Sequence, residues 1–283
     1  MDKTNNLIDT KYELQHIEEL NLKMLINCKK NSVIEFGLYP QTIKEENITI
    51  INTKQDEKGY FTGSDGEKYA FVKAKPFDNY EFSNNKEIVI DVGYYFKVEP
   101  IKWKVLDNIN GKVFLFSEAI LDAHKFDDKL NSYELSSIRK YLNNEFYNKA
   151  FTEKEKELLE STILNDLLNK KDKVFLLSKE EMTSSLLGFK NNDEEDYVRS
   201  KKATDYAKAN GSYEYIGSNN GFYWLRTAYN DKEMMLSNAY FVGYGGYIDY
   251  DCVYDSHYGV APALVIDKKT LINRWNNMKK RII

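Results

Sequence analysis

Tyr95-Phe96-Lys97-Val98-Glu99-Pro100-Ile101-Lys102-Trp103-Lys104-Val105-Leu106 is the stretch that decides the fold class. Past Pro100 it alternates apolar with basic residues, and a period of two puts Ile101, Trp103 and Val105 on one face of a strand. Upstream, Ile88 to Val92 and Tyr94 to Val98 read as a strand pair. Tyr60-Phe61 and Tyr69-Ala70-Phe71-Val72 flank Gly63-Ser64-Asp65-Gly66, a hairpin turn signal. Val33-Ile34-Glu35-Phe36-Gly37-Leu38-Tyr39, running into Pro40, gives a further strand. Downstream the period becomes helical. Leu135, Ile138, Leu142 and Phe146 mark a buried stripe. Thr152 with Glu155 and Ser178 with Glu181 form capping boxes. The first opens a helix through Leu158, Leu159 and Ile163, the second a short one through Met182, Leu186 and Leu187. Thr204 to Ala209, closed by Gly211, makes another. After Gly221 the chain is aromatic and strand-like through Ile266. Strands, then helices, then strands predict a mixed α+β domain.

That domain is bounded at residues 32–267. Leu14, Ile17, Leu20 and Met24 share one face of an N-terminal amphipathic helix within residues 1–31, and residues 268–283 form a basic helical tail carrying Trp275. Lys112-Val113-Phe114-Leu115-Phe116-Ser117 and Lys173-Val174-Phe175-Leu176-Leu177-Ser178 match at five of six positions. Both read as a buried strand ending at a serine, and the absence of a third copy excludes a solenoid.

With 283 residues, 42% of them hydrophobic, the chain can bury a core without disulfides or metals. A net charge of −4 supplies no chain-wide positive field, which argues against nucleic acid and anionic membranes as partners. Mean hydropathy is −0.61, and no run approaches the roughly 18 apolar residues of a membrane span. Cys28 and Cys252 lie far apart and make no disulfide framework. Met1 to Asn6 lacks the features of a signal peptide, so a cytoplasmic chain is expected, or a surface or secreted one if the start is trimmed. Oligomeric state is not readable. Lysine outnumbers arginine 35 to 5, which makes each arginine conspicuous. Ten of the 22 tyrosines fall between Ser212 and Tyr258.

No phosphate-cradling loop, His-Glu-x-x-His or Gly-x-Ser-x-Gly elbow occurs, so no catalytic residue, metal site or cofactor is assigned. Gly243-Tyr244-Gly245-Gly246 lacks the flanking helix of a dinucleotide site and reads as a tight turn. His16, His124 and His257 share no metal-ligand spacing. Alternation would project Asp249, Asp251, Asp255 and His257 to one side, either as oxygen ligands for a hard cation or as a solvated acidic strand. Asp193-Glu194-Glu195-Asp196 reads as a loop kept in water. Cys252 reads as a small packed residue rather than a nucleophile. Trp224 and Arg226 share a strand face, and Arg226 either clamps core segments or grips a ligand.

Several segments, in order, resemble a bacterial family known as domain of unknown function 6273. They are Phe36-Gly37-Leu38-Tyr39-Pro40-Gln41, the Tyr95 to Leu106 stretch, Ser137-Ile138-Arg139 with Leu142-Asn143 and Phe146, and Ala150-Phe151-Thr152. Asp172 to Ser178, Tyr223-Trp224-Leu225-Arg226 and Gly259-Val260-Ala261-Pro262-Ala263-Leu264 complete the series, covering roughly residues 32 to 267. The resemblance implies a C-type-lectin-like fold with short antiparallel sheets and several helices, a group that includes sulfatase-modifying enzymes. Two departures matter. Ala261 stands where the family commonly carries arginine, and Cys28 and Cys252 are not the close cysteine pair of the copper-dependent sulfatase-modifying relatives.

The expected function is non-catalytic recognition of a protein or glycan through the tyrosine-rich segment, because tyrosine supplies contact area at low entropic cost. The expected surface is Tyr244, Tyr247, Asp249, Asp251, Tyr254 and His257, since turns are exposed and strand alternation groups these rings and acceptors. Trp103, Arg139, Trp224 and Arg226 are expected to be structural. The rival expectation is a hydrolase or oxidoreductase whose site is assembled from scattered residues.

Overall fold

Gly93–Ile109 runs as one 17-residue strand straight through Pro100, where two shorter strands were expected. The structure is a computed structural model and describes residues 22–164, 170–230 and 237–280. Phe96 pairs with Ala70 and Ile43, and Trp103 with Ser117 and Ile34. One edge of the long strand therefore carries Lys68–Lys73 and then Lys112–Ser117, while Val33–Ile43 covers the other. Pro100 has no amide to donate, and the strand facing it bulges on both sides, between Glu35 and Leu38 and between Pro40 and Ile43. Bulges are where a strand tolerates proline. Gly37 sits in the first bulge at φ +71°, and a Cβ there would come within 2.6 Å of the Phe151 ring.

The first sheet has the order Phe61–Thr62, Lys68–Lys73, Gly93–Ile109, Lys112–Ser117, Ala263–Asp267, Val174–Phe175, with Val33–Ile43 on the long strand. The two copies of the sequence echo lie on either side of Ala263–Asp267. Ala263 faces both Phe116 and Phe175, and Leu264 faces both Leu115 and Val174. Their closing serines, Ser117 and Ser178, are buried. A second sheet has the order Ile248–Cys252, Asn238–Val242, Tyr223–Ala228, Gly259–Val260, Asp122–Ala123. The chain crosses from it to the first sheet at Ala261-Pro262. Helices are short, except for Lys268–Lys280. The architecture is mixed α+β.

Both capping boxes form, at Thr152/Glu155 and Ser178/Glu181. Thr204 caps Asp205–Ala209, and Gly211 follows at φ +104°. Other expectations change. The first capped helix stops at Lys156, and Ile163 lies exposed in the small strand Thr162–Ile163. Leu135 and Leu186 face solvent from 3-10 turns. Ile88 to Val92 is no strand: the run reverses the chain through Asp91 at φ +64°, leaving Val89, Ile90 and Val92 exposed. Near the start, residues 22–27 are helical, burying Leu22 and Leu25 and exposing Met24. Leu14, Ile17, Leu20 and His16 lie outside the described residues. Leu271 of the last helix and Leu22 enter the same core as Trp103 and Phe96. Among the described residues, no helix is long and apolar enough to cross a membrane.

Candidate functional site: an aromatic face beside a polar cleft

Register fixes the faces of the second sheet. Trp224 opposes Phe241, Phe241 opposes Asp249, and Ala239 opposes Asp251, so these side chains share one face. Tyr240 opposes Tyr250 on the other, where Tyr250 stacks on Tyr229 at 3.5 Å and Lys179 lies 4.2 Å from the Tyr240 ring centre. The Trp224 face carries a graded network of rings. Fully buried Trp224 packs on Tyr258 at 4.2 Å, Tyr258 on Phe241 at 4.7 Å, and Phe241 on Phe222 at 5.4 Å. Phe222 then branches. One arm runs through Tyr244 to Tyr215, the last two stacked at 4.0 Å and 18°. The other runs through Tyr213, at 4.4 Å, to Phe77, whose ring lies 4.5 Å from that of His257. Both arms end in solvent, with Tyr215 39% and Phe77 43% exposed.

Tyr244, Tyr247 and His257 belong to this face, all half-buried. Burial pushes the Tyr247 phenol up to about 12. The glycine turn beside them is covered rather than exposed. A Cβ on Gly246, at φ +77°, would fall 1.9 Å from the Asp196 carbonyl oxygen. Arg199, fully buried, donates to the carbonyls of Gly246 at 3.1 Å, Glu194 at 3.1 Å, Lys190 at 2.6 Å and Asn192 at 2.7 Å. The acidic run is thus a latch over the turn. Its Asp196 is buried and accepts from the Lys190 and Val198 amides. Arg199 carries this contact, and the scarcity of arginine was its only signal in the sequence.

The acidic residues separate. Asp251 accepts from the Tyr258 hydroxyl at 2.7 Å, Asp249 is exposed, and a turn at residues 253–254 ends the alternation before Asp255, which pairs with His257 Nδ1 at 2.8 Å. Among the described residues, no group of three or more His, Cys, Asp or Glu side chains is placed to hold a metal ion. Tyr254 is 60% exposed on that turn. Cys252 is half-buried and free. His124 stacks on Tyr141, 4.9 Å between ring centres.

The four residues expected to be structural all make contacts within the fold. Trp103 is fully buried and donates to the Phe36 carbonyl at 2.7 Å, and Trp224 donates to the His124 carbonyl at 3.0 Å. Arg139 makes a bidentate contact with buried Asp172. Buried Arg226 donates to Glu181 at 2.6 and 3.1 Å and to the Leu176 carbonyl at 2.7 Å.

Beside the aromatic face lies a cleft of about 650 Å³, between residues 79–85 and the start of Asp205–Ala209. The hairpin of Glu214–Tyr215 with Asn220–Gly221 belongs to both sites, since Tyr215 stacks in the network while Glu214 lines the cleft. Asp205 and Lys208 are buried at its floor. Scattered over positions 41–219, this set was invisible to motif reading.

Two sheets of mainly antiparallel strands, short capped helices and an aromatic face define a mixed α+β domain. The chain belongs to the family described as Domain of unknown function (DUF6273), whose model matches residues 110–268, more than half of its length. The match begins later than the resemblance did. Residues 33–109 nevertheless supply four strands of the same first sheet. No curated protein and no solved structure matches the chain.

Proposed function

We propose that this chain is a non-catalytic recognition module that takes a glycan or protein ligand across the aromatic face, on a C-type-lectin-like domain spanning residues 32–267. One observation carries this: the rings form an unbroken series from buried Trp224 to solvent-facing Tyr215 and Phe77. Rings backed by a rigid core lose little conformational freedom on binding, and their faces suit sugar C–H groups and apolar epitopes alike. Tyr244, Tyr247 and His257 lie within the contact area, with Asp249, Asp251 and Tyr254 at its rim.

The test uses the Phe77→Ala, Tyr215→Ala double variant beside the parent chain, on a glycan array and in affinity capture. The variant should melt at the parent temperature and lose at least about 2 kcal/mol of binding to whatever the parent retains. Equal binding by both would refute the proposal. The cleft favours a second reading, an enzyme with scattered catalytic residues, because it holds Asp205, Lys208 and Glu214 together. Turnover abolished by Glu214→Gln would establish that reading instead.

A further inference from the structure

The three charged groups of the cleft that are at least half-buried, Asp205, Lys208 and Glu214, are in unequal positions. Asp205 is saturated, accepting from the Ser83 amide at 2.7 Å, the Ser83 hydroxyl at 2.6 Å and the Ile43 amide at 3.1 Å. Lys208 donates to the Glu81 carbonyl and lies 3.6 Å from Asp205. Glu214 is different. Its side chain is 12% exposed, and its charged partner is Lys208, at 3.8 Å. Burial raises its pKa, which Lys208 only partly opposes. A half-buried carboxylate that opens on a cleft beside one distant lysine has acceptor capacity left, and a ligand can supply the donors.

Charge selects among ligands. Lys202 and Lys208 disfavour a cation, while Asp205, Glu214 and the exposed Glu81 disfavour an anion. Gln41, Thr42 and Asn219 add neutral hydrogen-bonding groups to the walls, and the volume lies within the usual range for small-molecule sites. We infer that the cleft is a subsite for a neutral saccharide, whose hydroxyls donate to Glu214. This rests on the recognition reading above and narrows its ligand to a sugar. Such a sugar arrives either free or as the end of a longer glycan. In the second case the rest of the glycan passes along the hairpin to the stacked Tyr215 and Tyr244.

The test is titration with methyl glycosides of glucose, galactose and N-acetylglucosamine, with glucosamine and glucuronate as charged counterparts, followed by ligand-observed NMR and calorimetry. At least one neutral glycoside should bind, more tightly than either charged sugar and with little dependence on ionic strength. Glu214→Gln should weaken it about tenfold or more, the worth of a hydrogen bond to a charged group. Asn219→Gly, which keeps a residue suited to φ +57°, should weaken it several-fold without touching the buried ion pairs. Binding of no neutral glycoside, preference for a charged sugar, or indifference to both substitutions would overturn the inference. Neutral oligosaccharides that bind more tightly than their methyl glycosides, an advantage lost in Tyr215→Ala, identify a glycan end. Equal affinities identify a free sugar. Dependence on Glu214 with indifference to Tyr215 and Phe77 would keep the cleft and discard the aromatic face as the recognition surface.

Discussion

Arg226 meets Glu181 at 2.6 Å, and the same carboxylate oxygen accepts from the Ser178 amide at 2.9 Å. The glutamate that closes a capping box is thus also the counter-ion of a buried guanidinium. Arg226→Ala should cost about 3–5 kcal/mol, because it removes the pairing and leaves a cavity between the strand and the helix start. Urea unfolding checks this. An unchanged midpoint together with lost ligand binding would reassign Arg226 to the binding site.

Trp103 and Trp224 are each fully buried with the indole N–H satisfied. Truncation of either to Ala should cost about 3–5 kcal/mol. Trp103→Phe fills most of the space but leaves the Phe36 carbonyl without its donor, so a loss of about 1–3 kcal/mol is expected. If Trp103→Phe unfolds at the same denaturant concentration as the parent, the hydrogen bond contributes nothing.

Lys201 lies 3.8 Å from the centre of the Phe116 ring and donates to the Ser117 carbonyl. Burial pushes its ammonium down to about 7, with Glu118 partly opposing. The unfolded chain keeps the ordinary lysine value near 10.4 and so binds more protons than the folded one from about pH 7 to 10. Stability from this group therefore rises with pH across that window, by at most about 1.4 kcal/mol per unit, and its full penalty is felt below pH 7. Lys201→Met should exceed the parent in stability at neutral pH, with the gap closing toward pH 10. Parallel stability profiles for the two proteins would contradict this.

Tyr244 and Tyr247 are poorer probes of the surface than their place beside three glycines suggests. Tyr247 lies so close over the turn that a Cβ on Gly243 would meet its ring at 2.2 Å, and Tyr244 sits between Tyr215 and Phe222. Tyr244→Ala with Tyr247→Ala should lower the melting temperature as well as binding. Tyr215→Ala should lower binding alone. Thermal melts of the two variants, run beside the binding assay, separate these outcomes.

Gly246→Ala should destabilise by more than about 1 kcal/mol, since its φ of +77° disfavours a side chain and the Asp196 carbonyl occupies the space. Limited proteolysis should then cut between Lys190 and Arg199 faster than in the parent. Resistance in the variant would show that the latch does not depend on the turn.

Elements with strict periodicity or a paired capping signal were legible in the sequence: the alternating face of Ile101, Trp103 and Val105, both capping boxes, and the Phe61 to Lys73 hairpin. Ile88 to Val92 misled because an apolar run carries no record of whether a partner strand is available. The run is used to turn the chain before Gly93. Asp193 to Asp196 is the loop its acidity signals, with Asp193, Glu194 and Glu195 exposed; Asp196 alone is buried, beside Arg199, which no local pattern announced. The cleft was hidden for a different reason. Asp205, Lys208 and Glu214 look ordinary one by one, and their unequal burial arises only when residues 41–43 and 79–85 close over them.

The strand Ala263–Asp267 lies inside the first sheet, one strand from its edge and held on both sides by the two near-identical segments, yet every other described strand of both sheets precedes it in the chain. During synthesis, Lys112–Ser117 and Val174–Phe175 must wait, edge-exposed, for a segment made long after them. The loops closed at that moment are long, which slows folding and lengthens the interval in which unpaired edges can find the wrong partner. Substitutions that weaken this strand's pairing, such as Leu264→Pro, are therefore expected to impair refolding of the first sheet.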